Sequence, residues 1–212
     1  MIFNTSIEQM LLRLPALILA FTIHEISHGL MAYILGDSTA KRDGRLSLNP
    51  IRHIDPIGLI LILIVGFGWA KPVMVNTHNL NNPKIDMALI SIAGPISNFI
   101  MAFVGLMIVY PLFFVSGVPA FIIQILLAFA SINVVLGVFN LIPIPPLDGS
   151  KVLAGLLPDR FYGMFLSFER FGMIILIIFI ITGATTQIVV PITGAIYSML
   201  FSAVASIYGL LL

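Results

Sequence analysis

Two long stretches of this chain carry no ionisable side chain. Between Met87 and Leu147, and again from Phe171 to Leu212, there is no Asp, Glu, Lys, Arg or His. A helix that crosses a bilayer needs about 20 mostly apolar residues, and these tracts hold several such lengths. The expected fold is therefore an all-α polytopic membrane protein of about five transmembrane helices, plus a membrane-dipping β-hairpin segment described below. A composition that is 59% hydrophobic and only 9% charged excludes an ordinary soluble domain. The net charge of +1 comes with no basic run, so nucleic acid is not an expected partner; the lipid bilayer is. The absence of cysteine excludes disulfides and thiolate metal sites. The N-terminus lacks the basic start and small-residue cleavage site of a signal peptide, so the first span is expected to be retained. With no internal repeat, 1–212 reads as a single domain, with a motif-bearing core at about 10–153 and C-terminal helices at about 160–212.

One apolar segment, about Met10 to Leu35, does carry charge: it contains His24-Glu25-Ile26-Ser27-His28. On a helix His24 and His28 lie one turn apart on the same face, so both imidazoles can reach one metal ion. Glu25 sits beside the first ligand, placed to act as a base. Two His ligands and a Glu base are the zinc-hydrolase arrangement. Ionisable residues inside a span are costly and mark function by default, so these three must face protein or a water pocket. The plainer alternative is a buried polar trio that only locks helices together. Gly36-Asp37 reads as the helix stop.

Residues 36–56 are polar and turn-rich. The apolar run Ile57 to Val65 is too short to cross a bilayer and too β-branched to continue as a long helix. The segment from Gly66 to Val75 is expected to be extended, one strand of a hairpin that dips into the membrane; the alternative is a surface loop with Trp69 at the headgroups. A second span, about Met87 to Tyr110, carries Gly94 and Pro95, which suggest close helix approach or a local break, and Asn98, which needs a polar partner. A third span, about Ala120 to Leu141, ends in a segment whose three prolines, Pro143, Pro145 and Pro146, forbid regular helix. Asp148 follows, the only acidic residue between Asp86 and Asp159. It suits a third metal ligand, although Asp148-Gly149 alone would more often be a plain turn. The last hydrophobic region divides into two spans, broken near Thr182 to Gln187 or near Pro191.

Basic residues fix the expected orientation, since Lys and Arg collect on the cytoplasmic side. Apart from Arg13 they fall at 41–52, 71–84 and 151–170, with none near Pro111 to Pro119. If Ile57 to Val65 does not cross, all three clusters share one side. The N-terminus is then extracytoplasmic, and the metal lies toward the cytoplasmic half.

The HEISH helix, the GFGWAKPV segment, the AGPISN span and the NLIPIPPLDG segment, in this order, resemble the site-2 protease family of intramembrane zinc metalloproteases. The resemblance covers roughly Leu17 to Leu153, in a compact form without the PDZ or CBS domains of larger members. It implies one zinc ion per chain on His24, His28 and Asp148, with Glu25 as base. It implies that Gly66, Phe67, Gly68, Trp69, Ala70, Lys71, Pro72 and Val73 belong to the hairpin that receives substrate, with Asn140 and Asn98 helping to position it. The implied activity is regulated intramembrane proteolysis, hydrolysis of peptide bonds within or near the transmembrane segment of single-span membrane proteins. The competing classes are an ion or proton transporter, for which the paired broken helices of repeated halves are not visible, and an inactive metal-binding scaffold, in which Glu25 would have no role.

Overall fold

The computed structural model describes residues 7–65 and 68–211. In chain order its helices are α1 (Ile7–Ile34), α2 (Thr39–Arg42), α3 (Pro56–Val65), α4 (Pro83–Leu112), α5 (Ala120–Asn140), α6 (Asp148–Leu156), α7 (Asp159–Glu169), α8 (Gly172–Ile181) and α9 (Ala184–Leu211). Four of them, α1, α4, α5 and α9, are long and apolar enough to cross a membrane. The expected five spans thus resolve into four long helices and the shorter α8, whose ten residues reach only about 15 Å.

Helix α4 shows how lipid and protein divide one apolar cylinder. Ile96, Ile100, Val104 and Ile108, four residues apart, are exposed, while Asn98, Ala102, Leu106 and Val109 are buried. Such a stripe suits hydrocarbon, and with four helices long and apolar enough to cross a bilayer the chain is an integral, multi-pass membrane protein. The buried face of α4 packs against α1 and α5, and α9 closes against α4 and α5. One apolar cluster joins Ala102, Val134, Val138, Ile142, Leu147, Leu176 and Val189. A second joins Leu106, Val109, Ala130 and Val204.

The helix ends follow from local chemistry. Gly36, at φ +105°, reverses the chain after α1. Asn82 caps α4 by accepting from the Ile85 N–H (3.4 Å), Pro83 fills the first turn, and Asp86 accepts from the Asn82 N–H (2.8 Å). Pro95 is carried inside α4 without ending it, so of the two readings of Gly94-Pro95 close approach is the one realised. The C-terminal break falls at Thr182-Gly183, where Gly183 has φ +75°, and Pro191 lies within α9.

The hairpin is corrected. Among the described residues its pairing reduces to a single antiparallel bridge, Ile54 with Ala70, beside a Lys71 N–H donating to the His53 carbonyl (2.8 Å). The ladder cannot extend. Pro72 has no N–H to donate, and Arg45 takes up the carbonyls of Lys71 and Pro72. Residues 57–65, too short a run to cross a bilayer, lie in helix α3, started by Asp55, whose carboxylate accepts from the Gly58 N–H (2.8 Å), and by Pro56 at the first position. Residues 68–76 form no helix and make no pairing beyond that bridge, and Asn76 at their end has extended dihedrals (φ −96°, ψ 103°).

Candidate metal centre

Helix α1 presents His24 and His28 one turn apart, and both are buried. Asp148, first residue of α6, is brought to them by the turns at 141–147, where the prolines end α5. The Asp148 Oδ2 lies 3.1 Å from His24 Nε2 and 3.2 Å from His28 Nε2. The two Nε2 atoms approach to 3.0 Å. Candidate ligand atoms of all three residues lie within 4.8 Å of one another.

What lies behind the rings decides what faces this point. The His28 Nδ1–H donates to the Ile90 carbonyl (2.7 Å) and the His24 Nδ1–H to Asn98 Oδ1 (2.5 Å). With the proton of each neutral ring on Nδ1, both Nε2 atoms carry lone pairs. Two imidazole lone pairs and a carboxylate oxygen then converge with no proton between them. Such a set repels itself unless a cation sits among its members, and a His2Asp set suits a zinc ion with an open fourth position. The residues fit the metal.

Helix α4 makes the approach possible at Gly94. A Cβ there would stand 2.5 Å from the His28 ring and 2.6 Å from the His24 ring, so no side chain fits. Asn98 therefore sits behind a ligand, and its other end donates to Asn133 on α5 (3.0 Å).

Glu25 is buried beside His24, and its Oε2 accepts from the Val73 N–H (2.9 Å). This bond brings segment 68–76 to the centre. Arg45 holds the segment's Lys71 and Pro72 carbonyls, and Asp37 holds its far end by accepting from the Asn76 N–H (2.7 Å). Asp37 also accepts from the Thr39 N–H and hydroxyl and from the Asn79 amide. Burial pushes its carboxyl up, but these hydrogen bonds outweigh that and hold it below the usual carboxylate range.

The expected substrate residues fare unequally. Gly66 and Phe67 lie outside the described residues. Gly68 packs against the backbone of Gly58, Trp69 is partly exposed, and Ala70 forms the bridge. Lys71 and Pro72 expose their side chains while their carbonyls are occupied, and Val73 spends its N–H on Glu25. Asn140 turns its amide back onto the Leu136 carbonyl of its own helix (3.0 Å). Sequence reasoning missed Asn133, Asp37 and Arg45. For Asn133 a signal existed, an amide near the middle of an uncharged span that must find a partner.

Comparison with known proteins bears on the lineage of the chain. The model of Peptidase family M50 matches residues 116–183, which include Asp148. The chain is 40% identical over 184 residues to "Putative zinc metalloprotease YwhC" of Bacillus subtilis, covering 84% of each protein. It is 32% identical over 150 residues to "Putative zinc metalloprotease MJ0611" of Methanocaldococcus jannaschii, 71% of this chain and 73% of that one. It is 27% identical over 182 residues to "Putative zinc metalloprotease Rip2" of Mycolicibacterium smegmatis, of which it spans 66%. No solved structure matches the chain. A His-Glu-x-x-His helix facing one aspartate across a membrane bundle, with these likenesses, identifies the lineage: the chain belongs to Peptidase family M50, the site-2 protease family.

Proposed function

We propose that this protein is an intramembrane zinc endopeptidase that cuts single-span membrane proteins within or near their transmembrane segment. The observation that carries the reading is the convergence of His24, His28 and Asp148 beside Glu25 inside a bundle of membrane-spanning helices. One zinc ion per chain would be held by His24 Nε2, His28 Nε2 and the Asp148 carboxylate. Bound there, zinc would polarise the scissile carbonyl and make water acidic enough to attack near neutral pH. Glu25 takes the proton from the attacking water and delivers it to the leaving amine, its carboxylate steadied by the Val73 N–H.

A transmembrane helix shields its peptide bonds with its own hydrogen bonds and must unwind to be cut. Segment 68–76 offers backbone groups to an unwound strand, which recovers part of what unwinding loses. Arg45, Glu25 and Asp37 hold three sides of that segment, so substrate pairs with the groups they leave open. Asn140, at the end of α5 where the chain turns toward Asp148, is the residue we place next to substrate. Asn98, behind His24, we assign to the ligand rather than to substrate.

The centre lies toward the cytoplasmic half, with the N-terminus outside. Support comes from the basic residues. Those of 41–52 and 71–84 lie around the connection from α1 to α4, and those of 151–170 between α5 and α9. The two regions meet in space where Lys84 pairs with Asp159 at 2.7 Å. Single cysteines at Ser47 and Ser116 should label from opposite sides, Ser47 from the cytoplasm; labelling from one side reverses this reading.

The cleavage activity is tested by comparing membrane proteomes of cells expressing the wild type and Glu25→Gln. A single-span protein that is shortened with the wild type and intact with the variant supports the proposal. Identical membrane proteomes, with both proteins present at equal levels, contradict it.

A further inference from the structure

Asn133 lies on α5, fully buried, and its hydrogen bonds run to Phe129 and Asn98. Its Nδ2–H donates to the Phe129 carbonyl (2.9 Å). A backbone carbonyl can only accept, so this bond decides which end of the Asn133 amide points which way. Oδ1 of Asn133 therefore faces Asn98 and accepts from its Nδ2–H (3.0 Å). That in turn aims Oδ1 of Asn98 at His24, where it accepts from the Nδ1–H (2.5 Å). A ring that donates from Nδ1 keeps its lone pair on Nε2, toward His28 and Asp148.

We propose that Asn133 is a positioning residue: acting through Asn98, it selects the tautomer in which His24 can bind metal. The inference rests on the metal-site reading above and extends it to a residue two hydrogen bonds from the ion. The two histidines differ here. The His28 Nδ1–H is held by the Ile90 carbonyl, a backbone group that cannot turn over. The His24 partner is a primary amide with a donor on one side and an acceptor on the other. Rotated by half a turn, Asn98 would present N–H to N–H, and His24 could relieve the clash only by moving its proton onto the nitrogen that should bind metal. Asn133 prevents that rotation. Asn133 and Asn98 are also buried among apolar helices, where an amide left unpaired is costly.

The test is a double-mutant cycle on the full-length, detergent-solubilised protein, read as zinc affinity by chelator competition and as the visible spectrum of the cobalt-substituted protein. Asn133→Leu frees Asn98 and should weaken zinc roughly tenfold, within the range of about 10- to 100-fold known for partners behind metal ligands. Asn133→Asp loses the bond to the Phe129 carbonyl but still accepts from Asn98, and so should keep more zinc affinity than Asn133→Leu. In Asn98→Asp both oxygens accept, so no wrong orientation toward His24 exists, although one oxygen then opposes Asn133 Oδ1; adding Asn133→Leu removes that opposition and should cause no further loss of zinc affinity. Equal loss from Asn133→Leu in both backgrounds would reduce Asn133 to a packing residue and overturn the proposal. So would wild-type affinity in a folded Asn133→Leu protein. A wild-type protein that binds no zinc would instead overturn the metal reading and this inference together.

Discussion

Helices α4 and α9 are alike as sequences and unlike as structures. They have 30 and 28 residues, both are strongly apolar, and each carries at least one proline and two glycines. Yet 39% of the most apolar stretch of α4 is buried against protein and only 11% of that of α9. The difference lies in the small and polar residues. On α4, Gly94 admits two imidazoles and Asn98 holds one of them, whereas α9 buries mainly apolar contacts such as Val189 and Val204 and exposes Val190, Ile192 and Met199. Apolarity makes a helix cross the membrane. What it can build there depends on its few exceptions to apolarity.

A pair of glycines sharpens that comparison most. Gly94→Ala places a methyl group within 2.6 Å of both histidine rings, and zinc affinity should fall roughly 100-fold or more as the ligands are pushed apart. Gly194→Ala, on α9, meets nothing within 4 Å and should leave zinc content, folding and activity unchanged. Metal analysis of the two purified variants decides; equal behaviour would mean that α9 matters to the site as much as α4 does.

The second effect is smaller and concerns rate. Val73→Pro deletes the N–H that steadies Glu25. Turnover should drop roughly 10- to 100-fold, the cost of a misplaced catalytic group, with zinc retained. Loss of zinc in this variant would show that the segment holds the metal site together instead of orienting the base.

Much of this site was legible because its residues are exceptions in their surroundings. His24 and His28 sit four apart on one helix, and Asp148 is the lone acid over a long apolar run. The approach of Asp148 to within 3.2 Å of both rings was not legible, since it depends on how turns 141–147 fold back. The Asn98–Asn133 bond joins residues 35 positions apart, and nothing local couples them. Residues 57–65 read only as a run too short to cross a bilayer and too β-branched for a long helix; that they form a short helix depends on the Asp55-Pro56 start, which outweighs a propensity worth only tenths of a kcal/mol per residue.

The smallest effect belongs to the anchor at the segment's far end. Asp37→Asn turns an acceptor of four hydrogen bonds into a group with one acceptor oxygen, and should destabilise the contact with residues 76–79 by about 1–3 kcal/mol. Faster hydrogen exchange over 75–79, with α9 unaffected, is the expected readout. Because the folded-state pKa of Asp37 is depressed, the wild-type anchor is at full strength above the ordinary aspartate pKa of about 3.9. It is lost only as pH falls below that value through the folded pKa, so protection here, relative to the intrinsic exchange rate at each pH, should not change between pH 5 and 8.

The central claim is that the buried cluster on α1 and α6 divides into residues that hold metal and one residue that uses it. The direct test measures zinc content and cleavage of a single-span substrate on the same preparations of wild type, Glu25→Gln and Asp148→Ala. Glu25→Gln should keep about one zinc per chain and lose roughly 100- to 10,000-fold in turnover, the usual worth of a general base. Asp148→Ala should lose both zinc and activity, because it removes the charged ligand. Wild-type cleavage by Glu25→Gln at full zinc, or full zinc in Asp148→Ala, would contradict the account.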